Sequence, residues 1–204
     1  MTEPLVLRDE TIEGVSFADR DLRDAVLSGC RYVECDFRHA KLGEAHTSGC
    51  VFERCSFVNA TLNASVHDQS AFLTCRFDGA SLFAASFRGC KLTGSTFVEA
   101  DLSALDVQGG DWSYVNVRNQ DLRKAVLVGV RLVEADLSGC NLEGANLRSS
   151  DLTLAELRGA TIRKVDFRGA TIDGVRFAGL DLRGARFDID QAVAIVRSFG
   201  ATVL

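Results

Sequence analysis

Large apolar residues return along this chain at every fifth position. From Ile12 to Phe187 the register holds without insertion or deletion, as in Leu137, Leu142, Leu147, Leu152, Leu157 and Ile162. Only Thr47 and His67 interrupt it. On an α-helix a five-residue spacing scatters side chains around the cylinder, and on a flat strand it sends alternate ones to opposite faces. A chain that turns a corner every five residues brings them all to one axis, which is the geometry of a solenoid. The flanking positions agree. Two residues before each apolar side chain stands a small one, such as Ala25, Cys30, Cys35 or Ala40, and two residues after it sit most of the glycines, among them Gly129, Gly139 and Gly144. Glycine suits a repeated corner because it accepts positive φ without steric cost.

A second period sets the number of sides. Phe17, Phe37, Phe57, Phe77 and Phe97 are twenty apart, and so are Cys35, Cys55 and Cys75. Four pentapeptides therefore complete one coil, and like residues stack between coils. The pattern predicts an N-terminal cap over 1–9, an all-β, four-sided parallel solenoid of about nine coils over 10–189, and a C-terminal helix with a tail over 190–204. At parallel-strand spacing the rod is roughly 40 Å long. Bare core and strand edges at each end require covers. Leu5 and Leu7 supply one. FDIDQAVAIVRSFG supplies the other as a helix, with Asp188 and Gln191 at capping-box spacing and Gly200 at its stop. Ile189, Val193 and Val196 form one apolar face of that helix, and Ala192, Ile195 and Phe199 another. With one face on the last coil, the other is expected to join a second copy, and the interface is placed at Ala192, Ile195, Val196 and Phe199.

The triplets Ala135-Asp136-Leu137, Ala145-Asn146-Leu147 and Ala100-Asp101-Leu102 resemble the A(D/N)LXX signature of the pentapeptide-repeat proteins. The resemblance covers about nine-tenths of the chain and implies a right-handed quadrilateral β-helix. The unbroken register and the segment Asp188–Ala194 are similar to the MfpA/Qnr quinolone-resistance group of that family, on its loop-free MfpA side. That resemblance implies a head-to-head dimer through the C-terminal helix, shaped like B-DNA. Such a dimer binds DNA gyrase, a type II topoisomerase, and protects it from fluoroquinolones. Its rival is a pentapeptide-repeat scaffold for other protein partners, with no topoisomerase role.

Charge refines this picture. The net charge of −5 argues against direct nucleic-acid binding. The face centred on Ile12, Tyr32, Phe52 and Trp112 is the most acidic, with a net −4, and residues 92–117 hold Glu99, Asp101, Asp106 and Asp111 but no Lys or Arg. Candidate partner-binding carboxylates are therefore Glu34, Glu53, Glu99, Asp101, Asp106, Asp111 and Asp151. DNA of this length carries over twenty charges, at about one per 1.7 Å, so mimicry has to rest on shape and a local acidic surface.

No catalytic motif is present, and neither a metal nor a cofactor is expected: His39, His46 and His67 have no ligand spacing, and there is no nucleophile elbow or P-loop. The seven cysteines all occupy the small inward position, where they read as free, buried stand-ins for alanine. His67 and Thr47 should stack one coil apart, as a hydrogen-bonded irregularity or as a bulge shown to a partner. Gly109, Gly110 and Trp112 depart most from the small-residue rule and mark a possible bend. No apolar run approaches 18 residues and the first ten lack a basic start, so the expected compartment is the cytoplasm.

Overall fold

The computed structural model describes residues 3–203. Residues 1, 2 and 204, which belong to the expected cap and tail, lie outside it. The chain is a four-sided parallel solenoid closed by one helix. One side carries β1 (Val6–Arg8), β3 (Val26–Ser28), β5 (His46–Ser48), β7 (Val66–Asp68), β9 (Ser86–Arg88) and β10 (Asp106–Gln108). The adjacent side carries β2 (Thr11–Glu13), β4 (Arg31–Val33), β6 (Val51–Glu53) and β8 (Ala71–Leu73). Every pairing is offset by one coil, as in Val6↔Val26 and Val51↔Ala71. The other two sides pair through single bridges, such as Ser16↔Asp36 and Asp21↔Lys41.

The count of about nine coils differs from the extent of the regular strands. Regular strand ladders span about five turns. Beyond them the same register continues through single bridges, as far as Asp166↔Arg186.

The core follows the apolar beat. Phe37, Phe57 and Phe77 stack with ring centroids 4.8 Å apart, and Tyr32, Phe52 and Phe72 do the same at 4.8 and 4.7 Å. This is the parallel-strand spacing, so backbone pairing and ring stacking share one repeat. The N-terminal half is filled by such aromatic columns, and leucine dominates from Leu122 to Leu157. Every corner residue from Asp9 to Gly184 has positive φ, whether or not it is glycine: Glu34 (φ 52°), Asn59 (φ 56°) and Lys124 (φ 59°) sit there too. Ladder bonds on both sides of each corner outweigh the roughly 1–2 kcal/mol cost of left-handed backbone in these residues.

The four sides use two kinds of corner. On the single-bridge sides a turn closes with its own hydrogen bond, as from the Ala40 amide to the Phe37 carbonyl (3.1 Å). On the strand sides that bond is missing, and the residue at the same place is Glu10 or Val15 in the first coil and Cys30, Cys35, Cys50, Cys55, Ser70, Cys75, Cys90 or Gly110 after it. The freed amide is taken up by the side chain one coil further on. The Cys50 N–H donates to Ser70 Oγ (3.2 Å) and the Cys75 N–H to Ser95 Oγ (3.0 Å). The thiols in turn donate to carbonyls, Cys90 Sγ to the His67 oxygen at 3.1 Å. The cysteines are buried and free. They do more than replace alanine, because they satisfy backbone that the strand-type corner leaves without a partner.

The small inward position has two leucines, Leu105 and Leu180. The ladder opens beside each of them. No backbone bond joins residues 99–109 to 118–128, although the coils remain paired on the other two sides through Lys91↔Asp111↔Arg131 and Thr96↔Asn116↔Asp136. The pairing is likewise absent between 156–162 and 176–182. A leucine where alanine or cysteine normally fits holds the two coils apart at that corner. The irregularity expected at Gly109–Trp112 therefore centres one corner earlier, on Leu105.

The rod ends in α1 (Ile189–Ser198). The Asp188 N–H donates to Gln191 Oε1 (2.8 Å), as the capping-box spacing predicts, and Gln191 Nε2 donates to the carbonyls of Phe167 (2.7 Å) and Ala170 (2.6 Å). Gly200 takes φ 82° just past the end.

Candidate partner-binding surface

The seven candidate carboxylates do not form one patch. Glu34, Glu53, Asp111 and Asp151 lie in a column on the side that carries β2, β4, β6 and β8. Glu99, Asp101, Asp106 and Asp111 run around a single coil, one on each side, and cross the column at Asp111.

Their electrostatics differ as well. Along the column, arginines absorb most of the charge. Arg54 bonds Glu34 (2.9 Å) and Glu53, Arg31 reaches Glu53, and Arg131 lies 3.7 Å from Asp111 and 3.8 Å from Asp151. In the belt, Glu99, Asp101 and Asp106 have no basic partner among the described residues. Asp106 is oriented by Ser86 Oγ (3.1 Å) and Gln108 Nε2 (2.9 Å), which leaves its charge uncompensated. The C-terminal carboxylates behave like the column. Lys164 beside Glu143 and Arg168 beside Asp166 hold both below the usual carboxylate range, Asp166 at about 2. Backbone and side-chain bonds from Arg158 and Arg176 do the same for Glu156. Of the seven candidates, the three without a basic partner are thus all in the belt, Glu99, Asp101 and Asp106.

At the helix, Ile195 is turned into the last coil and is 8% exposed. That corrects its placement at an interface: Ile195 and Gln191 form the capping face together. The exposed apolar stripe is Ile189 (83%), Ala192, Val196 and Phe199 (60%), at spacings of three, four and three. Ile189 joins this stripe although the sequence reading places it on the other apolar face of the helix, outside the expected interface.

His67 makes no bulge. It stays in the core in register with Thr47. Ser65 Oγ gives its proton to the Leu62 carbonyl (2.7 Å), so it accepts from His67 Nε2 (2.9 Å). Nδ1 is hydrogen-bonded to Thr47 Oγ1 (2.8 Å), which also contacts Ser70 Oγ (3.0 Å). The network holds a neutral imidazole, and burial pulls its pKa down to about 3. Burial pushes the Cys90 and Cys140 thiols up to about 11. Among the described residues, no three His, Cys, Asp or Glu side chains converge as metal ligands would, and no helix is long and apolar enough to cross a membrane.

The family model for pentapeptide repeats matches in eight copies over residues 21–57, 35–65, 75–111, 100–139, 113–148 and 150–188. No curated protein sequence matches the chain. Among solved structures, a trypsin-treated variant of QnrB1, a plasmid-mediated fluoroquinolone resistance protein, superposes with a TM-score of 0.87 at 21% identity. That match covers 98% of this chain and 100% of the other. A second trypsin-treated QnrB1 variant gives 0.66 at 21% identity, covering 97% and 99%. Full-length QnrB1 gives 0.57 at 18%, covering 96% and 100%. At these identities the likeness is one of fold.

Proposed function

The chain belongs to the pentapeptide-repeat family, and from that premise we propose that it is a protein-binding rod that engages DNA gyrase as a DNA mimic and shields it from fluoroquinolones. The observation that carries this reading is the belt: Glu99, Asp101 and Asp106 stand unpaired on a rigid rod, in a stretch without Lys or Arg. A cationic DNA-binding surface is complementary to such a belt, and carboxylates already bonded to arginine contribute little there. The exposed stripe Ile189–Ala192–Val196–Phe199 supports a homodimer through the C-terminal helix. The cytoplasm is the compartment consistent with that partner.

Purified gyrase tests the proposal in a supercoiling assay with and without a fluoroquinolone. The chain is expected to alter supercoiling and reduce drug-induced cleavage. Replacing Glu99→Gln, Asp101→Asn and Asp106→Asn together should weaken binding markedly, at about 1–2 kcal/mol for each charge-assisted hydrogen bond removed. Glu143→Gln, Glu156→Gln and Asp166→Asn make an equal change in net charge at arginine- and lysine-paired sites, and should leave binding nearly intact.

The rival scaffold reading has one observation in its favour. Arginine pairing neutralises most of the column, and the whole chain carries only −5. A partner of mixed charge fits that surface, and absence of gyrase binding by the unaltered chain leaves this reading alone.

A further inference from the structure

Where the coils part beside Leu105, the rod contains an open cleft of about 430 Å³, bounded by residues 102–106 and 121–126. Apart from the similar break beside Leu180, the rims of neighbouring coils are joined by ladder bonds. Here, among the described residues, the amides of Glu99, Leu102, Ala104 and Gly109 have no backbone acceptor, and the carbonyls of Ala100 and Leu105 have no backbone donor. The opposite rim mirrors them. The amides of Asp121 and Val126 and the carbonyls facing them are equally bare. β10 is consequently the last strand of its sheet, although the segment one coil on, Val126-Leu127-Val128, is rich in β-branched residues.

Two further features mark the place. Val126 and Val128 are exposed at 53% and 40%, beside an unpaired strand edge that solenoids normally keep covered. Behind the cleft, Trp112 lines a small apolar void with Leu102 and Leu105, and its buried indole N–H has no hydrogen-bond partner. This surface displays alternating main-chain donors and acceptors at the end of a regular strand ladder, and polypeptide main chain matches that alternation.

We infer that this cleft is a strand-insertion slot: it receives an extended segment of the partner protein, which pairs with the free edge of β10 and covers Val126 and Val128. Asp101 and Asp106 on one rim stand against Lys124 on the other, where Arg123 is already bonded to Asp121, and this difference favours a segment with acidic and basic residues on different edges. The inference rests on the reading of the rod as a protein-binding module, and it does not require that the partner be gyrase.

Hydrogen exchange on the free chain gives the first test. Amides of Glu99, Leu102, Ala104, Asp121 and Val126 should exchange at least a hundredfold faster than those of Leu82, Ala84 and Asn146, which are bonded one coil away. Equal protection means a closed cleft and overturns the slot. Gyrase is the second probe: binding should protect the same amides. Val126→Pro removes a donor that has no internal partner, so it should melt with the unaltered protein yet bind gyrase at least tenfold more weakly. Leu105→Ala should let the coils zip and lose binding in the same way. If the unaltered chain binds gyrase and both variants bind equally well, the slot is wrong and the gyrase reading stands. If the unaltered chain does not bind gyrase, the gyrase reading fails and a capped peptide copying residues 21–28 becomes the probe. Protection of the cleft amides by that peptide supports the slot, and its absence at millimolar peptide overturns it.

Discussion

At the scale of single residues, the core tolerates the polar pair Thr47 and His67 because their side-chain polar atoms are all hydrogen-bonded. His67 is neutral in the folded rod, with a pKa near 3 against 6.5 ordinarily. The unfolded chain therefore binds a proton between those values that the folded chain does not. Stability should fall as pH drops below about 6.5, by about 1.4 kcal/mol per unit, or roughly 2 kcal/mol between pH 7 and 5. Denaturant titrations at the two pH values measure it, and Thr47→Leu with His67→Phe should flatten that slope by restoring an apolar column. Gly110 is a second singular residue. A Cβ there would overlap the Cys90 carbonyl oxygen and crowd the Cys90 amide at 3.0 Å, whereas Gly129 has open space around it. Gly129→Ala should cost about 1 kcal/mol for its positive φ, and Gly110→Ala clearly more, because backbone has to move.

At the scale of elements, α1 serves two ends. Gln191 and Ile195 bind it to the last coil, and the opposite stripe is left to solvent. Substitution at the two faces should therefore separate folding from association. Val196→Asp with Phe199→Asp is expected to yield a folded monomer by sedimentation if the stripe joins two copies. Ile195→Asp should destabilise the C-terminal coil by several kcal/mol, since it buries a charge with no partner. The strand-type corners make a parallel point. Cys55→Ser keeps a donor and acceptor beside the corner and should be milder than Cys55→Val, which removes both.

At the scale of the whole molecule, a rod of stacked coils has near-neighbour energetics. The broken rungs beside Leu105 weaken the link between an aromatic N-terminal half and a leucine-rich C-terminal half on two of four sides. Native-state hydrogen exchange should resolve the halves as separate cooperative units. Leu142→Lys, at a site with 0% exposure, should lower protection mainly beyond residue 121 and leave the ladder from β1 to β9 close to its original protection. Surface ion pairs, numerous as they are, should add little: solvent screens exposed pairs such as Arg183–Asp181, and holding two long side chains together costs entropy.

The architecture was legible in the chain itself because a solenoid is nearly one-dimensional: a five-residue beat, a twenty-residue echo and small inward residues specify its neighbours without long-range information. The helix boundary, the stacking of Thr47 on His67 and the acidic stretch between 92 and 117 were readable for the same reason. What tertiary structure decided was which of these features remain free. Arginines one coil away cancel Glu34 and Glu53 but miss Glu99, Asp101 and Asp106, and that difference lies in side-chain reach across the rod. Ile195 went to the core and Ile189 to solvent because the docking angle of α1 is set by Gln191 on two carbonyls, an interaction that apolar periodicity does not record. Leu105 and Leu180 stood in plain view as departures from the small-residue rule. That they open the ladder on two sides while the others hold follows only from packing, where excess volume at one corner is relieved by breaking the nearest hydrogen bonds.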